Sequence, residues 1–247
     1  MSALPTVSPA IMDGCESSVF RHAARITTFS RSIKYKDVLP TETRTYEVAK
    51  RCFDLALAVF LLPLAIVLIA LIGVAIALTS DGPVIFRQQR IGRYGRPFNI
   101  WKFRTMYADA DRILREHLKH SAEAREEWHQ SHKLRCDPRV TPLGKLLRES
   151  SLDEIPQILN IFAGDMSFVG PRPIVAKETI KYAERLPYYL AARPGVTGLW
   201  QISGRCNVSY ESRVILDETY VRHWTIGGDI WILLHTPRVV FCRDGAC

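Results

Sequence analysis

Between Leu55 and Leu78 the chain carries an unbroken apolar run, LALAVFLLPLAIVLIALIGVAIAL, with no charged residue. A helix needs roughly 20 apolar residues to cross a hydrocarbon core, and this run is long enough. A soluble core helix would show a polar face at helical spacing, and none is present. The pattern therefore predicts a membrane helix, stopped by the turn cluster Ser80-Asp81-Gly82-Pro83. Beyond it, Val84–Phe86 and Pro97–Trp101 are short β-like runs around Gly92-Arg93-Tyr94-Gly95, a hairpin signature. Residues 107–133 are dense in charge and read as a solvated helix, and Pro138 and Pro142 punctuate a loop. Leu143–Arg148 and Leu152–Phe162 read as helical, followed by Gly164-Asp165, and Val169-Gly170-Pro171-Arg172-Pro173 as a stiff loop. Residues 174–186 and 208–223 read as further helices. Ile226–Phe241 is apolar, with Trp224, Trp231 and Arg238, which suits a helix in the membrane interface with Trp at headgroup level. No internal repeat or low-complexity tract is visible.

The flanks of the apolar run do not suit a simple span. Arg44, Lys50 and Arg51 precede it; Arg87, Arg90, Arg93, Arg96, Lys102 and Arg104 follow it, against Asp81. Short basic flanks stay on the cytoplasmic side, so both flanks ask for the same side. Pro63 removes a backbone hydrogen bond and is expected to bend or break the helix. A kinked, re-entrant helix satisfies both flanks, with Asp54 in the headgroup zone beside Lys50 and Arg51. A kinked spanning helix with an outside tail is the other solution. The expected fold class is α+β and mostly helical: a re-entrant (monotopic) membrane helix plus a cytoplasmic domain with a small β-hairpin and interfacial amphipathic helices. The expected divisions are a poorly ordered tail over 1–45, the membrane helix and its lead-in over 46–80, and the domain over 81–247.

Charge and cysteines sharpen this picture. A formal net charge of +8 favours anionic partners: lipid headgroups, phosphates or nucleic acid. The cysteines, at 15, 52, 136, 206, 242 and 247, show no C-x-x-C spacing and read as reduced cytoplasmic thiols. The N-terminus lacks the pattern of a secretory signal, and Cys247 makes no prenylation box.

The densest polar cluster is Arg148-Glu149-Ser150-Ser151-Leu152-Asp153-Glu154-Ile155-Pro156-Gln157. One reading is structural: Ser151 with Glu154 three residues on is a capping box, and Asp153 sits well in a first turn. The other is chemical. A helix start stabilises an ionised carboxylate and attracts phosphate, and adjacent carboxylates can hold a divalent cation, or one can attack while the other orients. Arg148 lies just upstream, and prolines on both sides of Arg172 pre-place its guanidinium for a bidentate phosphate contact. Trp101-Lys102-Phe103-Arg104 alternates aromatic and basic residues, as a phosphate-binding strand or one with a solvated basic face. His117/His120 and His129/His132 have i, i+3 spacing but sit in a charge-rich stretch that reads as a solvated face. Gly195, Gly198 and Gly204 match neither dinucleotide nor P-loop spacing. Asp217, on an expected helix, reads as an exposed residue.

The order of motifs carries a resemblance. A basic lead-in and a Pro-bearing apolar helix are followed by Gly-Pro-Val-Ile-Phe-Arg-Gln-Gln-Arg-Ile-Gly, Trp-Lys-Phe-Arg-Thr-Met and Ser-Leu-Asp-Glu-Ile-Pro-Gln. Val-Gly-Pro-Arg-Pro and Arg-Pro-Gly-Val-Thr-Gly-Leu-Trp-Gln-Ile-Ser-Gly-Arg complete the series. Over about residues 46–243 the chain resembles the bacterial sugar transferases, the monotopic phosphoglycosyl transferases. The resemblance implies transfer of a sugar 1-phosphate from a UDP-sugar to polyprenol (undecaprenyl) phosphate, releasing UMP, at the cytoplasmic face of the bacterial inner membrane. It implies Asp153 as the nucleophile that forms a phosphosugar-aspartate, and Glu154 as a ligand of Mg²⁺. Lys102, Arg104, Arg148, Arg172 and Asp217 are then expected to bind substrate. It also implies a re-entrant helix broken at a Ser-Pro pair; here the pair is Leu62-Pro63, and the hydroxyl is missing. Similarity to the short form, without a multi-span N-terminal domain, implies exopolysaccharide initiation with galactose or glucose. Homo-oligomerisation stays open.

Two other classes compete. A membrane-anchored interaction protein without activity would leave Asp153-Glu154 as a cap and gives no reason for the Pro-Arg-Pro loop. A membrane-tethered nucleic-acid binder would explain the charge, but an acidic pair inside the basic region argues against it, and no nucleic-acid partner is expected.

Overall fold

The computed structural model describes residues 39–131, 134, 136–204 and 208–241. Most of the expected N-terminal tail, His132, and Cys15, Cys206, Cys242 and Cys247 lie outside the described residues; Cys52 and Cys136 are free thiols. The end of the expected tail is structured, with Leu39 and Thr41 buried. Helix α1 then spans Arg44–Thr79, its start capped by the Thr43 hydroxyl, which accepts from the Tyr46 amide at 3.2 Å. The helix is continuous through Pro63, so the expected break there does not occur. One unmade backbone bond is tolerated inside a long, otherwise hydrogen-bonded apolar helix.

α1 has two faces. Tyr46, Lys50, Asp54 and Ala58, spaced four apart, are buried, as are Ala65 and Ile76 farther along. On the other side Val59, Phe60, Leu64, Val67, Leu71, Val74 and Leu78 are 55–81% exposed. The most apolar window has mean hydropathy 3.2 and only 17% of it is buried, which is a lipid-facing surface, not a core helix. Such a helix belongs in a membrane. Both ends nevertheless rest on the same domain. Near the start, Tyr46 packs edge-on against Trp224 with ring centroids 4.6 Å apart. Near the end, Ile76 packs with Phe103 and Leu147. Each such side chain, fully buried, contributes about 1.5–3 kcal/mol.

Asp54 is not in a headgroup zone. It is 1% exposed, and its Oδ1 accepts from Ser167 Oγ at 2.9 Å and the Phe168 amide at 3.2 Å. Lys50 is also fully buried, donating to Asp229 Oδ2 at 2.7 Å with Asp54 at 3.7 Å. A lone buried charge is costly, so these groups are found paired.

Strands β1 (Ile85–Ile91) and β2 (Pro97–Phe103) form the expected hairpin, pairing antiparallel from Ile85↔Phe103 to Ile91↔Pro97. Its turn places Tyr94 in the left-handed region at φ 59°. Both strands run longer than their apolar cores, because β1 carries exposed Arg87, Gln88 and Gln89. The long helix expected over 107–133 is two, α2 (Ala110–His120) and α3 (Ala122–Ser131), parted at Ser121, whose hydroxyl caps the second by accepting from Ala124 N at 3.1 Å. Helix α4 (Pro142–Glu149) follows, then a 3₁₀ turn over Leu152–Gln157 that runs into α5 (Ile158–Ala163). Asn160 on α5 hooks the free edge of β2: its Nδ2 donates to Asn99 O at 2.8 Å and its Oδ1 accepts from Trp101 N at 3.1 Å.

A second, parallel pair was not visible in the sequence: β3 (Ser167–Val169), partnered across the connecting segment. That segment holds α6 (Thr179–Tyr182) and α7 (Leu186–Ala191) in place of the single helix expected over 174–186, which Ala183 interrupts at φ 44°. The partner strand is β4 (Gly195–Thr197). A Cβ on Gly195 would lie 2.1 Å from Gly170 N, and one on Gly170 would lie 2.3 Å from Arg193 O. The glycines of Val-Gly-Pro-Arg-Pro and Arg-Pro-Gly thus let two backbones touch, and this contact anchors the loop that carries Arg172. The chain closes with α8 (Leu199–Ile202), α9 (Tyr210–Arg222) and α10 (Ile226–Phe241), as the apolar pattern predicted for the last. Trp231 and Leu234 on α10 are 50% and 73% exposed, as an interfacial helix requires, whereas Trp224 is tied into the protein through Tyr46.

Candidate active site

The site begins with strand parity. On β2, Phe98, Ile100 and Lys102 share one face. Phe98 and Ile100 pack under α5, together with Ile158 and Ile161. Lys102 therefore points inward with them, not to a solvated basic face. It meets the start of the 3₁₀ turn, where its Nζ donates to Glu154 Oε1 at 2.5 Å and lies 3.7 Å from Asp153 Oδ2.

The same geometry disposes of the capping box. Ser151 sits in the left-handed region at φ 56° and its side chain makes no cap bond. The Glu154 carboxylate goes to Lys102 instead. A non-glycine residue held at positive φ costs roughly 1 kcal/mol or more, and such strain tends to collect at working sites.

The carboxylates of the pair are tuned apart. Burial raises Asp153, with Glu154 adding to the rise and Lys102 and Arg148 opposing it; the net result lies above the usual carboxylate range. Burial also works to raise Glu154, but the charge and hydrogen bond of Lys102, with Arg172, outweigh it and hold it below its usual value. Asp153 is thus the more basic carboxylate, the better nucleophile of the two.

The structure gathers some of the expected residues and not others. Arg148 acts electrostatically on Asp153 while its Nε donates to Thr105 Oγ1 at 2.8 Å. Arg172 acts on both Glu154 and Asp217. Asp217 is not the exposed residue expected: it is 2% exposed and accepts from the Tyr182 hydroxyl at 2.7 Å. Burial pushes its pKa up to about 7. Arg104 is engaged elsewhere, donating from Nη2 to Ser80 O at 2.7 Å and Ser80 Oγ at 2.8 Å at the end of α1.

Among the described residues no three His, Cys, Asp or Glu side chains group as a metal site. Asp153 and Glu154 offer two hard oxygen donors. That suits Mg²⁺, which is usually held by one or two carboxylates together with substrate phosphates.

An apolar cavity of about 270 Å³ opens beside Glu154. Leu61, Leu64 and Leu68 of α1 form one wall, Ile155 and Ile158 another, and Ser151 and Glu154 stand at its polar end. The sequence pointed to neither this cavity nor a cluster around Arg213, Trp200 and Arg90. Their members lie far apart along the chain: the cavity draws on α1, the Ser-Leu-Asp-Glu-Ile-Pro-Gln motif and the Arg-Pro-Gly-Val-Thr motif, and of the cluster's three residues Arg213 lies outside every motif quoted for the resemblance.

Residues 45–243 match the family model for the bacterial sugar transferases. The chain is 49% identical over 170 residues to the undecaprenyl-phosphate galactose phosphotransferase of Salmonella typhimurium, covering 68% of this chain and 36% of that one. It is 48% identical over 166 residues to the exopolysaccharide production protein ExoY of Sinorhizobium fredii, covering 67% of this chain and 74% of that one. It is 39% identical over 177 residues to the UDP-glucose:undecaprenyl-phosphate glucose-1-phosphate transferase of Caulobacter vibrioides, covering 68% and 61%. The match spans only 35–36% of the length of the first three curated relatives.

Proposed function

We propose that this chain, which belongs to the bacterial sugar transferase family, moves a sugar 1-phosphate from a UDP-sugar to polyprenol phosphate at the membrane surface. The observation that carries the reading is Glu154, which pairs with Lys102 beside Asp153 and also lines an apolar cavity walled by the membrane helix. An anionic, water-soluble donor suits the cation and a lipid-borne acceptor the cavity.

In the first step an Asp153 carboxylate oxygen forms a bond to the β-phosphorus of the donor. The bond from that phosphorus to the bridging oxygen breaks, and UMP leaves with the electron pair. In the second step a phosphate oxygen of the acceptor attacks the same phosphorus, the bond to Asp153 breaks, and the carboxylate is regenerated with the polyprenyl diphosphosugar as product. A covalent intermediate lets two bulky substrates use one site in turn. Lys102 holds Glu154 in place and offsets the repulsion between an attacking carboxylate and a diphosphate; Arg172 adds positive charge on the leaving side. Glu154, with Asp153, would hold Mg²⁺, which would supply charge neutralisation at the phosphate oxygens.

Both ends of α1 rest on one domain, which supports the N-terminal flank and the domain lying on the same, cytoplasmic, side of the membrane. The names of the relatives support galactose or glucose as the sugar and exopolysaccharide assembly as the setting. The test is turnover by purified protein of a panel of labelled UDP-sugars with undecaprenyl phosphate, read as label in the lipid extract. Lipid-linked sugar phosphate and free UMP in equal amounts are expected; absence of both from every donor would sink the reading and favour a non-catalytic membrane-anchored protein.

A further inference from the structure

Around Arg172, two guanidinium groups pack against two aromatic rings and a third stands at the neighbouring loop. Arg213 stacks on Tyr210 with its Cζ 4.1 Å from the ring centroid, and lies 5.3 Å from the ring of Trp200. Arg172 approaches the same Trp200 ring at 5.5 Å. Arg90 reaches in from β1, donating from Nη1 to Pro173 O at 3.1 Å in the Pro-Arg-Pro loop. Glu178 stands between Arg90 and Arg213, at 3.9 Å and 3.8 Å, too far to accept a hydrogen bond from either. The Arg90 and Arg213 side chains are 16% and 14% exposed, so the cluster is sunk in the surface but open to it.

The cluster has donors to spare. Arg90 Nε, Arg213 Nε and Nη2, and Trp200 Nε1 are buried without a hydrogen-bond acceptor, and Trp200 is only 5% exposed. Buried donors are nearly always satisfied, so several unsatisfied ones converging on one place call for an acceptor-rich partner. Their charge balance names its sign: Arg90, Arg172 and Arg213 face Glu178 and the hydroxyl-bonded Asp217. Guanidinium groups recognise phosphate by paired donation, and flat aromatic rings suit a base or ribose.

We propose that Arg213 and Arg90, with Trp200 and Tyr210, form the seat for a nucleoside monophosphate: the uridylate end of the donor, which leaves as UMP. This rests on the transferase reading above. None of these four residues lines the apolar cavity, so the nucleotide seat and the lipid cavity use different residues. In that arrangement the reactive phosphorus lies over Asp153 and Glu154, and Arg172 spans from the pair to the seat.

The test is equilibrium binding of UMP, uridine, inorganic pyrophosphate and phosphatidic acid to the full chain in neutral-lipid nanodiscs. Arg213→Gln and Arg90→Gln are compared with the parent after thermal melts show which variants are folded. Because the two arginines lie on different elements, one folded variant suffices. At least a tenfold loss of UMP affinity is expected in each, with Arg213→Lys intermediate, uridine weak throughout and phosphatidic acid binding unchanged. UMP affinity within twofold of the parent in a folded variant overturns the seat and leaves the transferase reading standing. Loss of phosphatidic acid binding in place of UMP binding would overturn it in favour of a lipid headgroup site. A parent that binds pyrophosphate through Arg213 but not UMP overturns the nucleoside assignment and the uridine donor together.

Discussion

Lys102 and Glu154, 52 residues apart in sequence, meet at 2.5 Å, with Asp153 1.2 Å farther from the same ammonium group (3.7 Å against 2.5 Å). The charge thus favours one carboxylate over its neighbour: Asp153 is held above the usual carboxylate range and Glu154 below its usual value.

Asp153→Asn keeps the shape of the side chain and removes the carboxylate proposed as nucleophile. Transfer should fall by about a thousandfold or more, as when a covalent nucleophile is lost. Melting should change little, because a carboxyl already penalised by burial is replaced by a neutral amide. Incubation of the parent with donor alone should place a phosphosugar on the peptide containing Asp153, detected by mass spectrometry.

EDTA should stop turnover, and added Mg²⁺ should restore it. Glu154→Gln should raise the Mg²⁺ concentration needed for half-maximal rate. Full activity after chelation would remove the metal from the reaction.

Ser151 distinguishes strain from capping. Loss of a working N-cap costs about 1 kcal/mol, but Ser151 caps nothing. Ser151→Ala should melt within about 0.5 kcal/mol of the parent, since both residues bear the same left-handed penalty. Ser151→Gly should be at least as stable, because relief of that penalty offsets the entropy of a freer unfolded chain. A drop of 1 kcal/mol in both variants would restore the capping box.

Asp217 predicts a pH dependence of stability. Its folded pKa, about 7, lies above its ordinary value of 3.8. The folded state therefore binds the proton more tightly than the unfolded chain. The resulting stabilisation is complete below about pH 4 and is lost as pH rises through 7, at a slope of up to about 1.4 kcal/mol per pH unit. Melts of the parent between pH 5 and 7.5 should slope downward relative to those of Asp217→Asn. Parallel profiles would show that Asp217 does not titrate there.

Lys50→Met leaves Asp229 buried without its cation and should cost about 3–5 kcal/mol. Tyr220 and Trp224 still donate to Asp229, at 2.9 Å and 3.0 Å. The double variant Lys50→Met/Asp229→Asn should therefore recover much of the loss in detergent-solubilised protein. Additive losses would mean that the two residues act independently.

What could be read from the sequence was local. The apolar run, the glycines around Tyr94 and the period of Ile226–Phe241 each act within a few residues, and each produced the expected element. Local signals failed where a distant partner overrode them. Ser151 and Glu154 have capping-box spacing, but Lys102 takes the carboxylate. Asp54 looks like an interfacial acid beside Lys50, but Ser167, 113 residues away, draws it inside. Asp217 looks exposed until Tyr182 is found against it. Strands of three residues such as β3 and β4 are too short to show a period, and the motif glycines that bring them together say only that backbones come close. The resemblance singled out Asp153 and Glu154; their unequal environment was not legible, since it depends on a residue one strand away.

The pairing of Lys50 with Asp229, separated by 179 residues, sets an order of events in the cell. Helix α1 leaves the ribosome carrying a cation whose partner is made 179 residues later. At 5–20 residues per second that partner arrives roughly ten seconds to half a minute later. During the wait Asp54, one helical turn away at 3.7 Å, is the counter-ion at hand. Helix α1 can thus reach the lipid early as a neutral pair and be locked only once α10 has been made. A truncated or stalled chain would remain at the membrane without that lock, open to proteolysis.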